Sequence, residues 1–169
     1  MEIEAIMLAD DGAVPNNPAL PLIICRNALP QTASTDDVIE LFTANGWRGA
    51  WVNGIFPYHH YHARAHEVLA NVGAPASVQF GGASGPIIEF PQRAVAMIPA
   101  GGGHCRVSEA SGLRIVGAYP AGQEDWDLKR ADNSGDYARA HAEIASVPLP
   151  ASDPLGGDSG PLFNHWRFS

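Results

Sequence analysis

The sequence predicts an all-β domain, an antiparallel sandwich or small barrel carrying one or two short peripheral helices. From about residue 47 to residue 119, short runs rich in Val, Ile, Phe, Tyr and Trp alternate with Gly and Pro, the pattern of strands and turns. The gaps between those runs leave almost no room for the crossover helices that parallel strands require. Gly at 18 positions and Pro at 14 fit a turn-rich chain of 169 residues and stop short of low complexity.

The first clear element is a helix. Ser34 precedes Thr35, Asp36 and Asp37, so a hydroxyl caps the first amides and two carboxylates sit at the positive end of the dipole. Val38, Ile39, Leu41 and Phe42 form its apolar face, and Asn45-Gly46 supplies residues that tolerate the left-handed conformation ending helices. Strands are predicted at 49–61, 67–73, 77–81, 86–90, 94–98, 104–108 and 113–119. A second helix is predicted at about 136–144, with Asp132, Asn133 or Ser134 as its cap. Beyond it, turns at 153–157 and 160–162, with Leu155, Leu162, Phe163 and Trp166, predict an ordered extension packed on the strands. No repeat or linker divides the chain, which reads as one domain over 1–169 with its barrel core at about 47–120.

Charge and cysteine usage exclude several classes. Lys and Arg number 10 against 18 Asp and Glu, a formal net charge of −8 that repels phosphate backbones and anionic lipid heads. Neither nucleic acid nor a membrane is an expected partner. Apolar stretches such as 19–25 fall well short of a membrane span, and Glu2 and Glu4 stand where a secretory leader carries positive charge, so a cytoplasmic location is expected. Cys25 and Cys105 lie far apart without CxxC spacing and read as reduced, structural residues. Asp125, Asp127, Asp132 and Asp136 read as a solvated acidic surface. Trp47, Trp51 and Trp166 are expected to cover an exposed sheet face, whose burial between two copies would make a homodimer.

Chemistry concentrates at 54–67, where His59, His60, His62 and His66 supply four of the seven histidines. On a strand, His60 and His62 share a face and are spaced to chelate one ion. Glu67 has the wrong parity for that face unless a turn at 63–66 brings it back beside them. On spacing alone the cluster is either a metal site or an exposed polar turn, with His59 and His66 as competing ligands. A second element, Pro99-Ala100-Gly101-Gly102-Gly103-His104, makes a turn with access to positive backbone angles and delivers one histidine onto a following strand. A lone histidine there is more often a satisfied core or rim residue than a ligand.

Together these residues resemble the cupin family, whose first motif reads GxxxxxHxH, three or four residues, Glu, about six residues and Gly, and whose second includes PxGxxH. Gly54, His60, His62, Glu67 and Gly73 match the first motif, with five residues between Glu67 and Gly73. Pro99, Gly101 and His104 match the second, although Ser108 stands where the family often has Asn and no glycine lies six residues before Pro99. The segment Gly117-Ala118-Tyr119-Pro120, with Gly122, Gln123 and Trp126, is similar to small bacterial single-domain cupins, which are commonly paired. The resemblance implies an antiparallel double-stranded β-helix, the cupin jelly-roll barrel. It also implies one divalent metal held by His60, His62, Glu67 and His104.

Three imidazoles and a carboxylate without thiolate suit Fe, Mn, Ni, Co or Zn, and such an ion acts as a Lewis acid with positions open to a small-molecule ligand. Strand parity places Arg106 and Ser108 on the face of His104. Arg106 is therefore a candidate for holding a substrate carboxylate in a two-pronged contact; otherwise it snorkels to the rim or pairs with Glu89 or Glu109. Phe56 and Tyr58 share the parity of His60 and His62 and are expected to line the same cavity, the Tyr58 hydroxyl being a candidate proton donor or simply wall. The expected function is a mononuclear metal enzyme acting on a small acidic or hydroxylated metabolite, dioxygenase-like or isomerase-like. The alternative is a non-catalytic, metal-dependent binding or sensor protein.

Overall fold

In the computed structural model, which describes residues 1–167, the strands form two antiparallel sheets. In chain order the strands are β1 (Glu2–Ile6), β2 (Leu22–Arg26), β3 (Trp47–Asn53), β4 (His60–Tyr61), β5 (Glu67–Asn71), β6 (Ala76–Phe80), β7 (Ile87–Phe90), β8 (Val95–Ile98), β9 (His104–Arg106), β10 (Ile115–Pro120) and β11 (Lys129–Arg130). The helices are α1 (Thr35–Ala44), α2 (Ser134–Ala145) and α3 (Pro161–His165). The larger sheet has the order β1-β2-β8-β5-β10-β3 and the smaller one β11-β4-β9-β6-β7. This is the all-β jelly roll expected from the sequence.

Period-two alternation sorts the larger sheet into two apolar faces. Leu22, Ile24, Leu69, Ala96, Ile98 and Ile115 point at the smaller sheet and meet Val78, Phe80, Ile88 and Phe90. The intervening residues, among them Ile23, Cys25, Val68, Met97 and Val116, point outward against Val38 and Phe42 of α1 and against Leu162 and Trp166. Ser34 caps α1 as expected: its hydroxyl accepts from the Asp37 amide at 3.2 Å while the Asp37 carboxylate accepts from the Ser34 amide at 2.8 Å. Asn133, among the expected caps, accepts from the first amides of α2.

Several elements depart from expectation. β2 comes from the N-terminal region outside the predicted core, yet it lies between β1 and β8 and is buried over Leu22, Ile23, Ile24 and Cys25. Its residues show no polar alternation because both faces are covered. The strand predicted at 49–61 is broken, with β3 ending at Asn53 and β4 resuming at His60. The turn expected at 160–162 is the start of α3.

The tryptophans do not form an exposed face. Trp47 and Trp166 are buried within the chain, donating from Nε1 to the carbonyls of Ser152 at 3.1 Å and Pro21 at 2.8 Å. The sheet face they were expected to cover is packed within the chain against α1 and the C-terminal extension. Among the described residues, no helix is long and apolar enough to cross a membrane.

Candidate metal centre

The backbone positions each donor. His104 enters β9 from the turn at 99–103, where Gly101 has φ +89° and a Cβ would lie 2.6 Å from the Asn16 carbonyl oxygen, so only glycine fits. β9 pairs with β4 so that His104 lies directly opposite His60. After Tyr61 the chain passes His62 and crosses to the larger sheet, where Glu67 opens β5 opposite Ile98. The turn demanded by the parity of Glu67 is thus a crossing between sheets. Glu67 and Leu69 share the inward face of β5, which aims the carboxylate at the imidazoles.

Each histidine is gripped from behind. His60 Nδ1 lies 3.0 Å from the Tyr58 carbonyl, His104 Nδ1 lies 3.1 Å from that of Gly102, and His62 Nδ1 is hydrogen-bonded to that of Asp127. A carbonyl only accepts, so Nδ1 carries the proton and each neutral ring presents a lone pair at Nε2. Glu67 Oε2 lies 3.3 Å from His62 Nε2 and 3.2 Å from His104 Nε2, and it is buried without a hydrogen-bond partner. Acceptors facing one another away from water require protons or a cation between them. Donor atoms of His62, Glu67 and His104 all lie within 4.8 Å of one another, a spacing that one ion can bridge. His60 stands alongside this group of three, its ring centroid 4.1 Å from that of His104 and 6.1 Å from that of His62.

The electrostatics favour the coordinating forms of Glu67 and His60, whereas without a cation the Glu67 carboxylate draws a proton to His62 that an ion would have to displace. Burial opposes ionisation of Glu67, yet His62 and His104 beside it hold its carboxyl well below the ordinary carboxylate range. Burial also works against a charged His62, but Glu67 outweighs it and raises the imidazole above its usual value. His60, buried and next to His104, is pushed down to about 3 and stays neutral.

Two residues that the sequence reading gave no role complete the centre. Tyr119, buried on β10, donates to Glu67 Oε1 at 3.1 Å and accepts from Trp51 Nε1 at 2.9 Å. Oε1 is thereby occupied and Oε2 is left facing the imidazoles. Trp51 reaches this position because Gly117 has no side chain, a Cβ there lying 2.2 Å from the indole ring. Asp127 is a bracket rather than solvated surface. Its carboxylate accepts from the amides of Ala63 at 3.1 Å and Arg64 at 2.8 Å and pairs with Lys129 at 3.0 Å, while its carbonyl holds His62.

The cluster lines a cavity of about 570 Å³ whose wall includes Trp51, Ile55, Leu69, Arg106, Tyr119 and Trp126. A more open depression of about 530 Å³ beside Arg64, Gln123 and Glu143 has no such donor group among the described residues. Arg106 faces the first cavity, as strand parity predicts. Its Nε donates to the Ile55 carbonyl at 3.2 Å and its Nη1 to that of Ser108, with no pairing to Glu89 or Glu109. Ser108 does not join the interior, since β9 ends at Arg106 and the Ser108 hydroxyl accepts from the Ser77 amide at 2.9 Å.

Because 54–59 is not strand, parity governs neither Phe56 nor Tyr58: Phe56 lines the cavity as expected, whereas Tyr58 does not. Phe56 sits exposed at the cavity rim, and Tyr58 lies off the wall, stacked on Phe56 at 4.9 Å and covered by the Arg130 guanidinium at 3.9 Å. Tyr58 therefore serves the centre through its carbonyl and not its hydroxyl. His66 has both ring nitrogens in use, Nδ1 accepting from the Ala100 amide at 2.9 Å and Nε2 donating to the Pro148 carbonyl at 3.1 Å, so it is no competitor for a metal.

Facing antiparallel sheets, with the histidines on or beside neighbouring strands of one and the glutamate on the other, define this molecule as a cupin-type β-barrel. The chain belongs to the same family as the uncharacterized protein YjlB of Bacillus subtilis (strain 168), to which it is 37% identical over 165 residues, 98% of this chain and 97% of that one. No family model matches it. Among solved structures it is similar to acireductone dioxygenase from Bacillus anthracis with cadmium ion in the active centre (TM-score 0.40, 11% identity, 59% of this chain and 78% of that one). It is also similar to vicilin from Solanum lycopersicum (TM-score 0.40, 17% identity, 69% and 31%) and to Bacillus subtilis oxalate decarboxylase, whose Mn(II) centres have been studied (TM-score 0.37, 10% identity, 78% and 36%).

Proposed function

We propose that this chain is a mononuclear metal enzyme acting on a small acidic or hydroxylated metabolite, dioxygenase-like or isomerase-like, with His60, His62, Glu67 and His104 as the ligands. The supporting observation is the buried Glu67 Oε2, which has no hydrogen-bond donor and faces imidazole nitrogens whose protons are committed on the opposite side of each ring. Nitrogen and oxygen donors without thiolate suit Fe, Mn, Co, Ni or Zn. When bound, such an ion supplies a Lewis acid at one wall of the cavity.

The remaining work falls to the chain itself. The carbonyls of Tyr58, Gly102 and Asp127 orient the imidazoles, and Tyr119 fixes Glu67 through Oε1. Burial and the neighbouring Glu67 push the Tyr119 hydroxyl upward in pKa, so it remains a hydrogen-bond donor. Trp51, Leu69 and Trp126 form an apolar wall that excludes water around a bound ligand and strengthens every polar contact in the cavity.

Elemental analysis tests the centre on protein purified without chelator or nickel resin. The expected result is about one equivalent of a first-row transition metal per chain, lost in Glu67→Gln. Protein that binds none after incubation with Fe(II), Mn(II), Co(II), Ni(II) and Zn(II) refutes it. Oxygen uptake and product analysis with a panel of small acids then test catalysis, and saturable binding without turnover would replace the enzyme by a binding protein.

A further inference from the structure

The cavity holds one charged group that the metal donors do not use. Among the described lining residues, histidines and the neutral Tyr119 aside, Glu67 and Arg106 are the only ionisable ones. Glu67 is committed to the donor cluster, so the Arg106 charge is left uncompensated. The chain has 18 carboxylate side chains against 10 basic ones, yet none of the described carboxylates pairs with this half-buried guanidinium. Its contacts are the neutral carbonyls of Ile55 and Ser108, which hold the guanidinium still without cancelling its charge. Part of its donor set stays available toward the cavity.

We infer that the cavity takes a small carboxylic acid with an apolar or aromatic body, the carboxylate on Arg106 and the body against Trp51, Leu69 and Trp126. The inference deepens the proposed function and rests on it for the reacting end of the substrate, though not for the anchored end. Arg106 lies two strand residues beyond His104, about 6.6 Å along β9. The Ser108 contact draws the guanidinium further along the chain, away from the donor cluster.

A rival account makes Arg106 a staple that ties the loop after β3 to β9. Ligand binding separates the two, and the wall supplies its own probe because Trp51 and Trp126 both face the cavity. Phenylacetate and phenylacetamide, matched in shape and differing in charge, are titrated by tryptophan fluorescence into metal-loaded and metal-stripped protein, with metal content measured on the same samples. The anchor predicts that the acid binds at least about tenfold tighter than the amide in both forms. Arg106→Gln should reduce that preference to about threefold or less at unchanged metal content, and Arg106→Lys should fall between.

Wild-type protein with no acid preference once stripped of metal overturns the anchor. So does an Arg106→Gln protein that keeps the preference, or no acid binding at about 10 mM. If loss of the staple unfolds Arg106→Gln, the wild-type comparison and Arg106→Lys still decide the matter. Acid preference in a protein that binds no metal would leave the anchor standing and remove the metal centre; metal binding without acid preference would do the reverse.

Discussion

Asp153 and Glu67 are both carboxylates buried away from solvent, and His66 and His62 are both buried imidazoles on the same short stretch of chain. Asp153 accepts from the amides of Leu155 at 2.7 Å, Gly156 at 2.8 Å and Leu162 at 2.8 Å, closing the C-terminal extension over the sheet. His66 likewise has one nitrogen accepting and the other donating. Glu67 and His62 are as deeply buried, but Oε2 and Nε2 face each other at 3.3 Å and Oε2 has no hydrogen-bond partner. Burial is the same in the two regions; only the matching of donors to acceptors differs. A buried polar group with every lone pair matched holds the fold, whereas one aimed at other acceptors is prepared for something from outside.

Exchanging the two carboxylates for uncharged residues should separate the regions most sharply. Glu67→Gln keeps shape and removes the anionic ligand, so metal affinity should fall by about a thousandfold or more in competition with a chromophoric chelator. The metal-free protein should remain folded. Asp153→Ala leaves buried amides without acceptors and should cost about 3 kcal/mol or more in urea unfolding, while the folded fraction keeps its metal affinity. Equal loss of metal in both variants would mean that the two carboxylates do not differ in role.

The histidines give a pH test of intermediate size. Burial pushes the His66 imidazole down to about 4 from its ordinary 6.5. A base that is harder to protonate when folded contributes its full stability above the unfolded value and loses it as pH falls toward the folded one, because the unfolded chain binds the extra proton. Between about pH 7 and about pH 5 this amounts to about 2 kcal/mol. In urea titrations of metal-free protein at the two pH values this loss adds to that of His60, also held low by burial, and His66→Gln should remove the His66 share of about 2 kcal/mol. An unchanged pH dependence in the variant would mean that His66 is not held neutral by the fold.

How much of this was legible in the sequence follows the same physics. β5, β6, β7 and β8 fall within or a residue from the predicted runs, because apolar runs between Gly and Pro turns announce themselves. β2 was invisible: its residues are covered on both faces, so the alternation that marks a strand is absent. The break between β3 and β4 was hidden by Phe56 and Tyr58, which look like strand residues and instead stack on each other in a loop. At the site, spacing paired His60 with His62 and the resemblance to the cupins added Glu67 and His104; the fold gathers His62, Glu67 and His104 with His60 alongside, and the parity of Arg106 held because β9 is regular up to that residue. Asp127 left no local signal. It acts on His62 from 65 residues away through a backbone carbonyl, a group that every residue type possesses.

Tyr119 offers the smallest and most discriminating substitution, because its hydroxyl makes the two oxygens of Glu67 unequal. In Tyr119→Phe the ring remains, still stacked on Trp126 at 5.6 Å, and Trp51 Nε1, part-buried, can turn to water for an acceptor. Packing is therefore largely preserved. What disappears is the donor on Oε1, and both carboxylate oxygens then become available to the donor cluster. Metal affinity should change by about tenfold, the scale set by contacts that orient a ligand rather than supply it. The electron paramagnetic resonance spectrum of the Mn(II)-loaded protein should change as well, a signature that simple loss of stability would not produce. If affinity and spectrum both match the wild type, the orientation of Glu67 comes from β5 and its backbone alone, and Tyr119 belongs with Asp153 among the groups that hold the fold.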